Sequence, residues 1–246
     1  MFPEYADSAL AENHFAFMGA QRGVLHRKGS AIELAGRVDF LSWWSPLIPD
    51  AEVPAGIATV RLFPWSPESW PPRLADLGFR PASELSYMDT RVRPGPAEPL
   101  PEDVTVEVVE TEADAEAFAA TQTAGFGEPA DTEEDTAWWL AFLTEEIRRN
   151  YADPAQNFYL LRSGGTPAAV SLSVTTDGVC GVYGVATAPE FRRRGYATRL
   201  LDRIRADAAS RGDERLALQV EPYSVAERIY LAAGFEPRFR STLYSR

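Results

Sequence analysis

Apolar and polar residues follow two different periods along this chain, and the period predicts the type of element. Short apolar or alternating runs, bounded by glycine and proline, predict strands that include 23–27, 56–63, 104–109, 157–162, 167–174, 179–187 and 216–220. Apolar residues at helical spacing predict helices after 111, after 131, from about 196 to 211 and over 225–233. From 104 onward the order is β-α-α-β-β-β-α-β-α-β-β. We therefore predict an α/β fold with a mixed sheet, of the α+β kind.

A proline-rich stretch at 93–103 divides the chain into two segments. Prolines favour extended polyproline conformations and forbid a helix, so this stretch predicts a semi-rigid spacer. We accordingly predict a smaller N-terminal α/β domain at 1–92, a linker at 93–103 and a second domain at 104–246.

The two segments end alike, which suggests an internal repeat. Each has a short helix, then Gly-Phe, then a proline and an extended stretch, at 74–92 and again at 230–246. Leu74 stands in the first copy where Tyr230 stands in the second. The first copy also lacks an arginine- and glycine-containing loop, so we predict that it is a degenerate repeat with a structural role or one that walls a substrate pocket.

The stretch from 182 to 201 combines a strand, a tight loop and the start of an amphipathic helix. The first amides of a helix have no intrahelical partner and carry the positive end of its dipole, which makes such a junction an anion site. Gly195 and Ala197 put no bulk near the backbone, and arginines 192–194 add charge-assisted donors. The sequence therefore predicts a phosphate-binding loop.

Two motifs carry a resemblance to a known family. Arg-x-x-Gly-x-Ala at 192–197 resembles the Q/R-x-x-G-x-G/A signature of the GCN5-related N-acetyltransferases (GNAT), where the loop holds the pyrophosphate of acetyl-CoA. Ala-x-x-x-Tyr-x-x-x-Gly-Phe at 226–235 is similar to that family's following helix and strand. The resemblance implies the acyl-CoA N-acyltransferase fold over 104–246, acetyl-CoA as co-substrate and no metal. It implies cofactor binding by Val185, Ala186, Thr187, Arg192, Arg193, Arg194, Gly195, Tyr196, Ala197, Thr198, Tyr223 and Ser224.

The resemblance also implies catalytic roles. In the family, two central strands separate after the position of Thr187, so that main-chain groups near Val185 hold the pantetheine arm and stabilise the oxyanion. Tyr230 stands at the family's general-acid position, and a phenol is a suitable proton donor to a thiolate. The strand where many relatives place a basic carboxylate has none here, which leaves Glu221 as the candidate general base, with Tyr183 or an ordered water as alternatives. The 220–226 loop is one residue short, and its usual Asn is replaced by Tyr223 or Ser224.

Several conspicuous residues are interpreted as structural. Trp43 and Trp44 could line a pocket, but tryptophans of this kind are more often core residues. Cys180 could carry an acyl group, but small buried cysteines are commoner and neither histidine lies near it in sequence. The acidic cluster at 131–135 favours a helix start over a catalytic pair.

Composition limits the class of partner. The net charge of −12 argues against nucleic acid and mildly favours a cationic amine acceptor. The sequence contains no run of about 18 apolar residues, so no membrane span is predicted, and no secretion signal is visible. A single cysteine fits a reducing cytoplasm. We therefore expect a cytoplasmic enzyme whose partner is a small-molecule or peptide amine, and we leave a homodimer open.

The leading hypothesis is an acetyl-CoA-dependent N-acetyltransferase that acts by direct attack of the amine. A non-catalytic acyl-CoA-binding protein is the first alternative, because the strand carboxylate is missing. A tandem-fold aminoacyl transferase that uses charged tRNA is a second alternative, which the acidic balance disfavours. The identity of the acceptor amine is not encoded in any motif.

Overall fold

A computed structural model describes residues 8–93, 99–127 and 131–246 of the chain. Five residues of the predicted linker, 94–98, lie outside the described residues. The described chain packs into two units, one built from residues up to Thr90 together with Ala217–Arg246, and the other from Arg91–Leu216. The C-terminal thirty residues thus group with the N-terminal segment, whereas the boundary predicted from the linker placed them with residues 104–216.

The elements follow one another along the chain with these bounds: α1 (Ser8–Gln21), β1 (Gly23–Lys28), β2 (Ala31–Gly36), β3 (Trp43–Pro46), β4 (Thr59–Leu62), α2 (Trp70–Asp76), β5 (Arg80–Arg91), β6 (Val104–Val108), α3 (Glu112–Phe126), α4 (Glu133–Asn150), β7 (Gln156–Ser163), β8 (Thr166–Thr176), β9 (Val179–Thr187), α5 (Tyr196–Arg211), β10 (Arg215–Val220), α6 (Val225–Ala232) and β11 (Glu236–Ser245). Single 3-10 turns lie at Asp39–Leu41 and Pro189–Phe191. This mixture of strands and helices confirms the predicted α/β class.

The first unit contains a mixed sheet in the order β1-β2-β3-β4-β11-β5-β10. The pairs β1–β2, β2–β3, β4–β11 and β11–β5 are antiparallel, whereas β3 and β4 pair in parallel through Trp44 and Val60. Trp44 packs edge to face on Trp70, and Trp43 contacts Phe15, so both tryptophans are core residues as interpreted from the sequence. Burial of several aromatic side chains makes this core, because each removes a large apolar area from water.

Helix α1 was not predicted. Its buried positions include Leu10, Asn13, His14 and Phe15, so polar residues interrupt what would otherwise be an apolar stripe. The 3.6-residue period of apolar residues is therefore weak in this part of the sequence, although the helix is well buried. The pattern did not predict the helix because several of its buried side chains are polar.

The second unit contains four antiparallel strands in the order β9-β8-β7-β6, with α3 and α5 packed on them. Phe118 of α3 meets Phe158 of β7 edge to face. Residues with positive φ shape the turns of this unit: Asp177 and Gly178 both have positive φ, as a tight hairpin turn requires, and Gly212 ends α5 in the left-handed conformation.

The helix starts of the second unit are also as predicted. The Thr111 hydroxyl accepts from the Asp114 amide at 3.2 Å and caps α3. Thr132 and Asp135 exchange side-chain and backbone hydrogen bonds in a capping box at α4. The acidic cluster at 131–135 therefore serves the helix start. No helix among the described residues is long and apolar enough to cross a membrane.

Candidate active site

The end of β9 carries a bulge. Val170 pairs with Ala186 and Leu172 with Tyr183, so two residues of β9, Gly184 and Val185, stand opposite one residue of β8. Gly184 has φ +59°, and a Cβ at this position would lie 2.4 Å from the side-chain nitrogen of Gln122. The bulge therefore needs glycine at 184, and it redirects the backbone at Val185, the first of the residues expected to hold the pantetheine arm.

Helix α3 approaches the same strand end closely. A Cβ on Gly125 would lie 2.8 Å from the Cβ of Ala186 and 3.0 Å from the amide nitrogen of Thr187. The Arg192 guanidinium donates to the carbonyl oxygens of Gly125 (Nη2···O 3.0 Å) and Thr187 (Nε···O 3.4 Å). Arg192 thus ties the loop to the strand and the helix, a contact that the sequence did not reveal.

The loop between β9 and α5 reverses its backbone twice with left-handed residues. Arg193 has φ +64° and Gly195 has φ +76°. No side chain caps α5, and its first intrahelical hydrogen bond joins the Arg199 amide to the Gly195 carbonyl at 3.1 Å. The amides of residues 196–198 therefore have no partner within the helix. A Cβ on Gly195 would meet no described atom within 4 Å, so the space beside the loop is open.

The remaining side chains of the loop divide into anchors and exposed groups. The Tyr196 hydroxyl donates to Ser163 Oγ at 2.9 Å and pins α5 to β7, so Tyr196 can offer only its amide to a ligand. The Arg194 guanidinium lies 5.1 Å above the Phe191 ring and donates to the Glu190 carbonyl. Arg193 and Thr198 are exposed. Arg192 and Arg194 are exposed as well, but Arg193 makes no hydrogen bond to a described residue. The loop thus combines open backbone amides with exposed guanidinium groups, which is the donor set for an anionic diphosphate.

Tyr230 lies on α6 in the first unit. It is half-buried, its ring meets Phe235 edge to face at 5.8 Å, and burial raises the pKa of its phenol to about 12. Its hydroxyl has no hydrogen-bond partner in the described part of the chain. The phenol therefore stays protonated across the physiological range and has its proton available for donation.

The other predicted residues of the first unit precede α6 in the chain. Glu221 is exposed, and its backbone carbonyl accepts from the Ser224 amide at 3.4 Å. Ser224 caps α6, because its hydroxyl accepts from the Glu227 amide at 3.1 Å. Tyr223 has φ +66°, is 76% exposed and accepts a hydrogen bond from Arg240 at its hydroxyl. Ser224 and Tyr223 thus have structural contacts that the sequence did not reveal.

Cys180 is a core residue, as interpreted from the sequence. It is fully buried, Arg211 Nη2 lies 3.4 Å from its sulfur, and burial raises the pKa of its thiol to about 11. A thiol that remains protonated is a poor nucleophile. Within the described ranges no group of three or more His, Cys, Asp or Glu side chains is placed to hold a metal ion.

Two groups of side chains have surroundings that the sequence did not predict. Trp138, Trp139 and Phe142 form an aromatic cluster on α4 in which Trp138 is 39% exposed, whereas a plain core-facing stripe would bury it. In the first unit, Arg61 is buried with Tyr87. The sequence feature that could have indicated the buried Arg61 is an arginine at a core-facing position of an apolar strand. For α4, the feature is three aromatic residues within one and a half helical turns.

Comparison with known proteins matches part of the chain to a family. Residues 115–235 match the model of the acetyltransferase (GNAT) family. No curated protein matches the chain. The fold is similar to that of a GCN5-related N-acetyltransferase from Kribbella flavida, with a TM-score of 0.70 at 20% identity over 99% of this chain and 96% of that one.

Two further solved structures are similar. A GCN5-related N-acetyltransferase from Sphaerobacter thermophilus has a TM-score of 0.58 at 25% identity, over 76% of this chain and 59% of that one. A tandem GNAT protein from the clavulanic acid biosynthesis pathway has a TM-score of 0.53 at 12% identity, over 89% and 80%. Together with the matched motifs, the family match confirms the predicted resemblance: residues 115–235 form a domain of the acetyltransferase (GNAT) family.

Proposed function

We propose that this protein transfers the acetyl group of acetyl-CoA to a primary amine of a small molecule or peptide. The observation that carries the proposal is the loop before α5, where two left-handed residues, 193 and 195, precede an uncapped helix start that faces open space. Family membership supports acyl transfer in general, and the donor set of the loop supports a diphosphate-containing co-substrate.

The residues present fit that co-substrate. The amides of 195–198 and the exposed Arg193 would hold the diphosphate, and the main chain of 185–187 would hold the arm that follows it. When bound, acetyl-CoA supplies an acyl group activated as a thioester. Because Arg192 and Tyr196 are engaged within the protein, we assign them to positioning the loop, and Tyr223 and Ser224 remain candidates for contacts outside the diphosphate.

Tyr230 is proposed as the general acid. Its Oη holds a proton up to about pH 12 and makes no competing hydrogen bond to a described residue. Desolvation also makes this phenol a weaker acid than in water. We therefore expect Tyr230 to contribute to catalysis through a hydrogen bond that strengthens as negative charge develops on the leaving thiolate. Glu221 is the proposed base, and its exposure to solvent suits a proton path through water.

The N-terminal segment is proposed to be a degenerate copy of the same fold. The like turns at 74–81 and 230–237 support this, and one similar structure is described as a tandem GNAT protein. Under this proposal 1–92 and 104–246 are the two copies joined by 93–103, even though the packing groups 217–246 with the first unit.

An amine panel tests the proposed activity. Purified protein, acetyl-CoA and a panel of antibiotics, polyamines, amino acids and peptides are scored for CoA release by a thiol reagent, with acetyl-CoA affinity measured by calorimetry. We expect acetyl-CoA to bind and at least one cationic amine to release CoA above the hydrolysis background. Binding with no turnover on any amine would favour the non-catalytic acyl-CoA-binding alternative, and no binding would contradict both.

A further inference from the structure

A buried polar cluster lies on one face of the sheet in the first unit. The loop before α5 belongs to the other unit. Arg61 of β4, Tyr87 of β5, Ser241 of β11 and His14 of α1 form it, and each is at most 9% exposed. Phe63 and Phe239 surround it, with the Phe239 ring stacked 4.4 Å from that of Tyr87. Charged and polar groups are rarely buried in such numbers without a reason.

Hydrogen bonds connect the four side chains in a chain. Arg61 Nη1 donates to Ser241 Oγ at 2.8 Å, and Tyr87 Oη lies 2.7 Å from His14 Nδ1. Ser241 also forms a hydrogen bond with Tyr87. One consistent direction runs from Arg61 to Ser241, from Ser241 to Tyr87 and from Tyr87 to His14, with each hydroxyl accepting once and donating once.

The charge of the cluster is not balanced. Burial and the nearby Arg61 cation lower the pKa of His14 to about 3, and burial raises the pKa of Tyr87 to about 12, so both partners are neutral at pH 7. Burial lowers the pKa of Arg61, but a guanidinium keeps its proton at neutral pH. A single buried positive charge therefore remains, which is costly unless an anion accompanies it.

Arg61 also has unused donors. Its guanidinium carries five N–H groups, and within the described residues only Nη1 has a hydrogen-bond acceptor. No carboxylate of the described chain forms an ion pair with it. The neighbouring nitrogens Nε and Nη2 lie side by side, which is the fork that binds the two oxygens of one carboxylate.

We propose that the cluster of His14, Arg61, Tyr87 and Ser241 is a second ligand site, which binds the carboxylate group of a small organic acid. A carboxylate brings one negative charge, equal to that of Arg61, and its organic part suits the surrounding aromatic rings. A phosphate brings between one and two charges and needs more donors than the cluster offers. This site does not depend on the proposed acetyl transfer.

Ligand-dependent thermal stability of the full chain tests the site. The unfolding midpoint is measured in chloride, acetate, benzoate and inorganic phosphate at equal ionic strength, for wild type, Arg61→Met and Arg27→Met. Arg27 is an exposed arginine of the same unit, paired with Glu12, so its replacement controls for the lost charge. A ligand that binds only the folded state raises the midpoint as its concentration increases.

For wild type and Arg27→Met, we expect the unfolding midpoint to be higher in acetate or benzoate than in chloride. For Arg61→Met, we expect the same midpoint in all three salts. Calorimetry should show the carboxylate affinity of Arg61→Met weakened by about 30-fold or more. If Arg61→Met does not fold, Arg61→Lys, which keeps the charge and loses the fork, should bind more weakly than wild type. No carboxylate effect on wild type, an equal effect on Arg61→Met, or an effect of phosphate alone would each overturn the proposal.

Discussion

Two stretches of the first unit, 70–90 and 225–245, adopt the same local structure and differ in chemistry. Helix α2 ends in a turn where the Phe79 amide donates to the Leu74 carbonyl at 2.9 Å, and at the end of α6 the Phe235 amide donates to the Tyr230 carbonyl at 3.0 Å. The glycine between them has φ +87° in both, at 78 and 234. Each phenylalanine is 1% exposed. The same turn therefore connects the helix to the following strand in both stretches.

The difference lies in one side chain and one loop. Leu74 is fully buried, whereas Tyr230 is half-buried and holds a phenol whose pKa is raised to about 12. The strands before α2 pair in parallel without an arginine- and glycine-containing loop, whereas α5 has one at its start. A turn and its buried anchor can therefore persist as packing, while the proposed chemistry needs the Tyr230 side chain, which only the second stretch has, and the loop before α5, which lies outside both stretches.

The largest expected effect is on turnover. Tyr230→Phe removes the hydroxyl and keeps the ring that packs on Phe235, so we expect kcat to fall by about 100-fold or more with acetyl-CoA affinity within about twofold of wild type. Because the raised pKa keeps the phenol neutral, wild-type kcat should not decline through loss of this proton until the pH approaches 12.

Tyr244→Phe is the matched control, since it removes a partly buried hydroxyl from the same unit. Its kcat should stay within about twofold of wild type, the range allowed for a change without a catalytic role. Equal turnover of Tyr230→Phe and wild type on an identified amine would remove Tyr230 from the mechanism and erase the chemical difference between the two stretches.

An intermediate effect is expected at the loop that the first stretch lacks. Gly195→Val places a side chain in the open space beside the amides at the start of α5, so we expect acetyl-CoA to bind about tenfold or more weakly, a change of ~1.4 kcal/mol. Isothermal calorimetry measures it.

Gly212→Val controls for backbone strain. Gly212 at the other end of α5 has φ +85° and is equally open, so valine there should destabilise the fold comparably and leave acetyl-CoA affinity unchanged. Matching losses of affinity in both variants would show that strain, and not the anion site, explains the result.

The smallest effects test the shared turn. Gly78→Ala and Gly234→Ala each force a Cβ into the left-handed region, and neither Cβ would meet an atom closer than 3.9 Å. We expect each to lower the free energy of unfolding by about 1 kcal/mol, with the two values within about 0.5 kcal/mol of each other. Urea denaturation measures both, and a clear inequality would break the structural equivalence of the two stretches.

Much of the proposed co-substrate site is local in sequence and was predicted from it. The strand, the loop at 192–195 and the start of α5 are consecutive, so the residue types alone indicated an anion site and the family. The sequence did not indicate that the Arg192 guanidinium also donates to the carbonyls of Gly125 and Thr187. Gly125 lies 67 residues away along the chain, a separation over which no periodicity carries information.

The sequence by itself determined the features that depend on a few neighbouring residues: the caps at Thr111 and Thr132, the turn at Asp177 and Gly178, and the left-handed end of α5. Backbone sterics and local hydrogen bonds decide these before any tertiary contact forms. Only the tertiary structure decided that Arg61 and Ser241, 180 residues apart, share one buried hydrogen bond, and that 217–246 pack with the first unit. Burial selects such partners from the whole chain, so the surroundings of a charge become known only when the core is assembled.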